Sequence, residues 1–346
     1  MGNDAIILGI ETSCDETAAS VVMGGRVVLS NAVLSQIPEH AAFGGVVPEV
    51  ASRKHVEAII PVADEAIKKS GASPMAIDAV AVTYGPGLVG ALLVGLSFAK
   101  GYALAMNIPL IGVHHVAAHI MAISLTDNPP EPPFTALVVS GGHSSIYNVA
   151  DYRTFLPVGR TRDDAAGEAF DKVARATGLG YPGGRKLEAA AEGGDPDYIR
   201  FPRTAFRDGT FDFSFSGVKT AAVNYLKKER AILDAGDNAL PAEFLRNFYA
   251  SYQAAIVDAL VENTMAAERS LRSGKIVVAG GVAANGALRE RFRLAAEECG
   301  GIKIFFPPPA LCTDNAAMVA ARAYHDYAAG KFSPFTLNAS PTAALE

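Results

Sequence analysis

His115 and His119 stand four residues apart in the run His115-Val116-Ala117-Ala118-His119. On a helix that spacing puts both imidazoles on one face, where they can share a metal ion. The ordinary alternative is two histidines satisfied separately by hydrogen bonds. His114 precedes the pair and points elsewhere. Zincin metalloproteases use His-Glu-x-x-His with the glutamate as general base, and this run lacks it. Peptidase chemistry of that kind is therefore not encoded. A third ligand must come from a distant segment, and Cys312-Thr313-Asp314-Asn315 offers an acid ahead of an apolar helix opening at Ala316. On the residues alone the same tetrapeptide reads more readily as a helix cap, with Thr313, Asp314 or Asn315 worth ~1 kcal/mol in that role.

A second kind of chemistry is suggested by glycine. Ser140-Gly141-Gly142, Gly180–Gly184 and Gly280-Gly281 are small-residue turns. The first and third end strands, so their backbone N–H groups can converge on an anion, helped by a following helix dipole. Each alone also reads as a tight turn that needs glycine. No GxxxxGK[ST] and no GxGxxG after a strand is present, which makes P-loop and Rossmann readings poor. Asp163–Lys172 is the most acidic short stretch, with Asp164, Glu168 and Asp171 at helical spacing. It reads as a solvated helix face or as the lining of a polar cleft.

These groups need a scaffold. Asn128-Pro129-Pro130-Glu131-Pro132-Pro133 cannot continue a helix or a central strand, so it separates two segments. Before it run strands at Ala5–Ile10, Ala18–Met23 and Val27–Val33. A strand at Asp78–Thr83, a helix from Leu88 and a strand at Leu110–Val113 follow. After it the order returns: Phe134–Val139, Ser144–Ala150, a strand near Arg153–Val158, then Lys275–Ala279, a helix from about Ala284, and Ile302–Phe306. This is a duplicated α/β fold. The apolar stripe within Glu243–Leu271 is core. With 346 residues, half of them apolar, two packed lobes and a loose C-terminal tail are expected.

Composition narrows the function classes. An acidic residue sits where a signal peptide would be basic, and Ile6 breaks the myristoylation pattern that Gly2 invites. The apolar run from Leu88 to Ala99 is stopped by Lys100, so it reads as a buried helix and not a membrane span. Three scattered cysteines fit a reduced, cytoplasmic protein. A net charge of −6 disfavours autonomous nucleic-acid binding. The clusters Arg200, Arg203, Arg207 and Arg289, Arg291, Arg293 are modest and read as surface.

Long motifs carry a family resemblance. They are Gly9–Thr17, Phe43–Glu49 with Ala51–His55, Gly85–Gly95, Gly112–His115, Val139–His143, Asp163–Lys172, Tyr181–Gly184, Phe213–Gly217, Ala279–Asn285 and Cys312–Asn315. Together they resemble the TsaD/Gcp (YgjD) family of tRNA N6-adenosine threonylcarbamoyltransferases. The resemblance implies an α/β, duplicated, two-lobed actin-like ATPase fold with a central cleft. Residues 1–127 would form the first lobe and 134–312 the second with a helical insertion. Residues 313–346 would be a C-terminal helix and tail returning to the first lobe.

It further implies transfer of a threonylcarbamoyl group from threonylcarbamoyl-AMP to the N6 amine of the adenosine 3′ of the anticodon, in tRNAs reading codons that start with A. It implies one Fe2+ or Zn2+ on His115, His119 and Asp314, and an adenine nucleotide held by Val138, Val139, Ser140, Gly141, Gly142, Asp171, Gly184, Glu188 and Asn285. TsaB and TsaE would be partners. Glu11, Asp15 and Glu16 face the same cleft without an assigned role. Two departures stand out: Ala117 where many relatives carry Glu, and Arg160 and Arg162 beside the acidic stretch. A sugar or acetate-type kinase on this fold has no use for the two histidines. A non-catalytic assembly subunit would not keep both with Asp314.

Overall fold

The computed structural model describes residues 4–204, 206, 208–232 and 240–345, so Gly2 and Arg207 lie outside the described residues. In chain order come β1 (Ile6–Glu11), β2 (Glu16–Met23), β3 (Val27–Ser35), α1 (Ile37–Ala41), α2 (Pro48–Ser70), β4 (Ala79–Gly85), α3 (Val89–Met106), β5 (Leu110–His114) and α4 (His115–Met121). Next are β6 (Phe134–Val139), β7 (Ser144–Asp151), β8 (Thr154–Arg160), α5 (Ala166–Ala176), α6 (Gly183–Ala191), α7 (Ser216–Ile232), α8 (Ala242–Leu271), β9 (Lys275–Ala279), α9 (Gly286–Cys299) and β10 (Lys303–Phe305). Two more helices close the chain, α10 (Pro309–Cys312) and α11 (Ala316–Ala328). The chain divides into two compact units. Unit one takes the chain up to Phe134, Val149–Leu156 and everything from Phe305; unit two takes Thr135–Asn148 and Pro157–Ile304.

Each unit holds a five-stranded sheet, ordered β3-β2-β1-β4-β5 and β10-β9-β6-β7-β8. Reversed, the second order repeats the first strand for strand, which is the duplication expected from the element pattern. β1 runs antiparallel to β2 and parallel to β4, and β6 runs parallel to β9.

In unit one the residues alternate between the two faces of the sheet, as the pleat demands. Leu8, Ile10, Val80 and Val82 pack with Ala58, Val62 and Leu96 from α2 and α3. Ile7, Ala79, Ala81, Ile111 and Val113 pack on the other face with Ala118 of α4 and Ala317, Met318 and Ala320 of α11. α11 crosses β1 very closely: a Cβ on Gly9 would lie 2.3 Å from the Ala316 carbonyl oxygen. Only glycine permits that approach, and the approach fixes where α11 begins.

Two expectations are corrected. The apolar run expected to be cut short by Lys100 belongs to a helix that continues to Met106, because a lysine with a flexible apolar stem is at home in a helix. It is thereby long and apolar enough to cross a membrane by length and composition. In this structure Ala91, Leu92, Gly95, Leu96, Ala99 and Ala103 are buried along it. The C-terminal tail is not loose. Ser333 N donates to the Leu110 carbonyl at 2.8 Å, Ser340 N to Tyr84 at 2.8 Å, and Gly87 N to Pro341 at 3.2 Å, while Leu337 joins the apolar cluster.

Candidate metal and nucleotide sites

Parallel α/β sheets place ligands at the carboxyl ends of their strands. In unit one those ends carry charged and titratable side chains. β1 ends at Glu11, β5 ends at His114, and α4 starts at once with His115. His114 Nδ1 accepts from Val116 N at 3.2 Å, capping α4, and its Nε2 donates to the Ala343 carbonyl at 3.1 Å. It is therefore occupied structurally and turned away, as expected of it.

His115, His119 and Asp314 come together, with one donor atom from each lying within 4.8 Å of the others. Asp314 Oδ1 is 3.1 Å from His119 Nε2 and 3.7 Å from His115 Nε2. Two metal–ligand bonds of about 2.0–2.2 Å at ordinary angles set their donor atoms roughly 3–3.5 Å apart, and Asp314 Oδ1 stands close to that separation from both histidines, as a site for a divalent cation requires. Both histidines are buried and Asp314 is half-buried. The helix cap goes to a different residue: Asn315 Oδ1 accepts from Met318 N at 3.1 Å. Asp314 is thus not spent on capping α11.

Glu11, which the family resemblance leaves without a role, is fully buried beside the trio. Its Oε1 accepts from Ser13 N at 2.6 Å, and its Oε2 accepts from Thr83 Oγ1 at 2.6 Å and faces His115 Nδ1 at 3.2 Å. The signal in the sequence was an acid closing an apolar strand. Burial pushes the Glu11 carboxyl up, but the neighbouring His115 more than offsets this and the net direction is down. Burial pulls the His115 ring down, and Asp314 and Glu11 reverse it to about 9. Burial, then Asp314 and Asp15, push Glu16 up to about 9. A crowded acid group of this kind is relieved by a cation. The Cys14 thiol is raised by burial and by Asp15, and Cys312 Sγ donates weakly to Pro307 and Pro308 carbonyls at 3.5 Å. Neither is built as a nucleophile.

In unit two the strand ends are glycine. β6 leads from Val138 and Val139 into Ser140-Gly141-Gly142, whose turn is closed by Ser140 N to the His143 carbonyl at 2.8 Å and His143 N to Ser140 Oγ at 3.1 Å. β9 leads into Gly280, where φ is 92° and a Cβ would sit 2.4 Å from the Val139 carbonyl oxygen. Gly280 is needed for packing. Gly141, Gly142, Gly184 and Gly281 are not: none has positive φ, and an added Cβ would meet nothing within 4 Å. Glycine there leaves a bare backbone that a ligand can approach.

The remaining expected nucleotide residues hold this turn system together. Asp171 Oδ1 accepts from Gly183 N at 2.6 Å, Glu188 Oε1 from Gly286 N at 2.6 Å, and Asn285 Oδ1 from Leu288 N at 2.9 Å. Asn285 Nδ2 also donates to Gln253 Oε1 at 2.8 Å.

The acidic stretch resolves into separate tasks. α5 begins only at Ala166, so Asp164 is not on its face; it pairs with Lys172 and Lys219. Asp163 accepts from Phe215 N and from the Ser214 and Ser216 hydroxyls at the start of α7. Arg162 pairs with Asp208 and Asp212, Arg203 and Arg291 share Asp258, and Arg293 pairs with Glu290 and Glu297. These arginines are held by acids of the same chain.

Comparison with known proteins adds to this geometry. A family profile described as TsaD, tRNA N6-adenosine threonylcarbamoyltransferase, matches residues 27–321. A protein of that name from Clostridium perfringens (strain SM101 / Type A) is 53% identical over 343 residues, 99% of each chain. Another from Clostridium beijerinckii is 53% identical over 340 residues, 98% of each. Among solved structures, full-length HypF in its phosphate- and nucleotide-bound form superposes with a TM-score of 0.60 at 14% identity, over 95% of this chain and 47% of that one. The Acidaminococcus fermentans (R)-2-hydroxyglutaryl-CoA dehydratase component A gives 0.50 at 15% identity, over 94% and 99%. At such identities the likeness is one of fold, the duplicated actin-like α/β fold.

Proposed function

The chain belongs to the TsaD family of tRNA N6-adenosine threonylcarbamoyltransferases, and we propose that it draws its acyl group from threonylcarbamoyl-AMP. The reaction class follows from the family: a threonylcarbamoyl group is placed on the N6 amine of an adenosine in tRNA. Our reading adds that the adenosine lies 3′ of the anticodon in tRNAs reading codons that start with A, and that AMP leaves. TsaB and TsaE are its partners and the cytoplasm its compartment.

The observation that carries the metal part is the convergence of His115, His119 and Asp314, from segments almost two hundred residues apart, on one point. These three residues would hold an Fe2+ or Zn2+, which would supply Lewis-acid polarisation of an acyl oxygen. The backbone N–H groups of Gly141 and Gly142, at the carboxyl end of β6, take the phosphate, where an added methyl would otherwise stand in the way. Val138 and Val139 set the floor, and Glu188 offers its second carboxylate oxygen to ribose hydroxyls. Asp171 shapes the Tyr181–Gly184 turn through the Gly183 N–H, while Asn285 holds the start of α9. The donor already carries a good leaving group, so no enzymic nucleophile is needed, in keeping with the raised Cys14 thiol.

The test is nucleoside mass spectrometry of unmodified tRNA incubated with this protein, its TsaB and TsaE partners and threonylcarbamoyl-AMP, beside His119→Ala. Modified adenosine with the wild type and none with the variant is the expected result. No product from a folded, metal-loaded wild type refutes threonylcarbamoyl-AMP as the donor.

A further inference from the structure

The two candidate metal ligands on α4 are not held alike. His119 Nδ1 is buried with no hydrogen-bond partner among the described residues. His115 Nδ1 instead faces the Glu11 carboxylate at 3.2 Å, with Ser13 Oγ at the same distance. Glu11 is itself immobilised. Ser13 N donates to one oxygen and Thr83 Oγ1 to the other, both at 2.6 Å, and the side chain is fully buried. β1 and β4 are hydrogen-bonded neighbours in the sheet, so the two strands that carry Glu11 and Thr83 fix the carboxylate from both sides.

We propose that Glu11 is a positioning residue: it holds a proton on His115 Nδ1 and so commits Nε2, the nitrogen facing Asp314, to the metal. A carboxylate has only acceptors, so the ring nitrogen toward it must be the donor. The other nitrogen, 3.7 Å from Asp314 Oδ1, is then the one that offers a lone pair to a cation. Outer-shell carboxylates of this type orient the ring and strengthen it as a ligand. This deepens the metal reading given above and rests on it.

Glu11→Gln keeps the shape but inverts the logic. With the new amide oxygen still accepting from Ser13 N, the amide nitrogen occupies the place of Oε2 and donates toward Thr83 and His115. That demands a bare Nδ1 and moves the ring proton to Nε2, against the cation.

The experiment is Co2+ titration of the metal-free full-length protein, followed by ligand-field absorption, for wild type, Glu11→Gln, Thr83→Val and His119→Ala. Imidazole 1H–15N spectra of the Zn2+-loaded proteins are recorded alongside. Glu11→Gln is expected to weaken Co2+ binding roughly 10–100-fold, and to lose the His115 Nδ1–H signal seen in wild type, with thermal unfolding of the metal-free form little changed. Thr83→Val, which loosens Glu11 without touching His115, is expected to weaken Co2+ binding less and in the same direction. It keeps the proposal testable should Glu11→Gln fail to fold. Wild-type affinity with an unchanged Nδ1–H signal in both variants overturns the role of Glu11 alone. A wild type that takes up Co2+ no better than His119→Ala overturns the metal reading itself, and the role of Glu11 with it.

Discussion

The two units share one strand order, yet the strand ends that carry their candidate sites differ in kind. In unit one the strand ends present Glu11, His114 and, one residue on, His115, and the site is built from side chains. In unit two they present Ser140-Gly141-Gly142 and Gly280-Gly281, and the site is built from bare backbone. Side chains of mixed charge, buried and mutually hydrogen-bonded, suit a small cation that needs defined donor atoms. Bare N–H groups suit an anion that must come close to the chain. A duplicated scaffold thus offers two different kinds of candidate site, because the residues that close corresponding strands differ in type.

The largest effect is expected at the candidate metal site of unit one. Alanine at His115, His119 or Asp314 removes one of the proposed metal ligands, and on that proposal transfer is expected to fall by roughly a thousandfold or more, the scale of a lost Lewis acid. Single-turnover assays with metal analysis check this; full activity in a metal-free variant would separate the trio from the reaction.

In unit two the expected effects split between neighbouring glycines. Gly280→Ala forces a Cβ into the Val139 carbonyl at positive φ and should cost about 2–3 kcal/mol of stability. Gly141→Ala and Gly142→Ala meet nothing and should change stability by less than ~0.5 kcal/mol, yet raise the KM for the donor. Chemical denaturation beside donor kinetics decides between them. Unaltered kinetics in both alanine variants would leave the turn without a ligand.

The C-terminal tail tests whether unit one depends on more than its ligands. Ending the chain after Asn338 removes the Ser340 N–H bond to Tyr84, the Gly87 N–H bond to Pro341 and the Ala343 acceptor of His114. About 1–3 kcal/mol of stability should be lost, with unit-one amides, Val116 among them, exchanging faster by hydrogen–deuterium measurement.

The last effect concerns acid. Burial lowers His114 and His325 to about 4, below the ordinary histidine value. The folded state therefore binds fewer protons than the unfolded state between pH 6.5 and 4. Stability from these rings is complete above about pH 6.5 and is lost as the pH falls toward 4. His325, stacked on Tyr152 with ring centroids 4.2 Å apart, is the cleaner probe. His325→Phe should flatten part of that slope in urea titrations at pH 4.5 and 7.

Much of this was legible in the sequence. Central strands such as Ile6–Glu11 and Phe134–Val139 are almost continuously apolar, and turns of glycine and proline punctuate them, so the repeated order could be read directly. The helical pair His115 and His119 follows from periodicity alone. The long motifs carried the family resemblance, because they are many, specific and spread in order along the chain.

Other features depended on residues far apart in the chain. Asp314 and Asn315 are adjacent polar residues before one helix, and either could cap it. Only the close crossing of α11 over Gly9 decides that Asn315 caps while Asp314 turns to the histidines. Glu11 is a strand-ending acid like many others until Thr83 of β4 and His115 of α4, both distant in sequence, surround it. The tail looked loose because it lacks periodic apolar residues, but its order comes from backbone hydrogen bonds to β4 and β5, which no side-chain pattern announces. Periodicity and turn chemistry are local and are written in the sequence. The partner of each buried polar group is set by which strands the fold makes neighbours, and that was decided only in three dimensions.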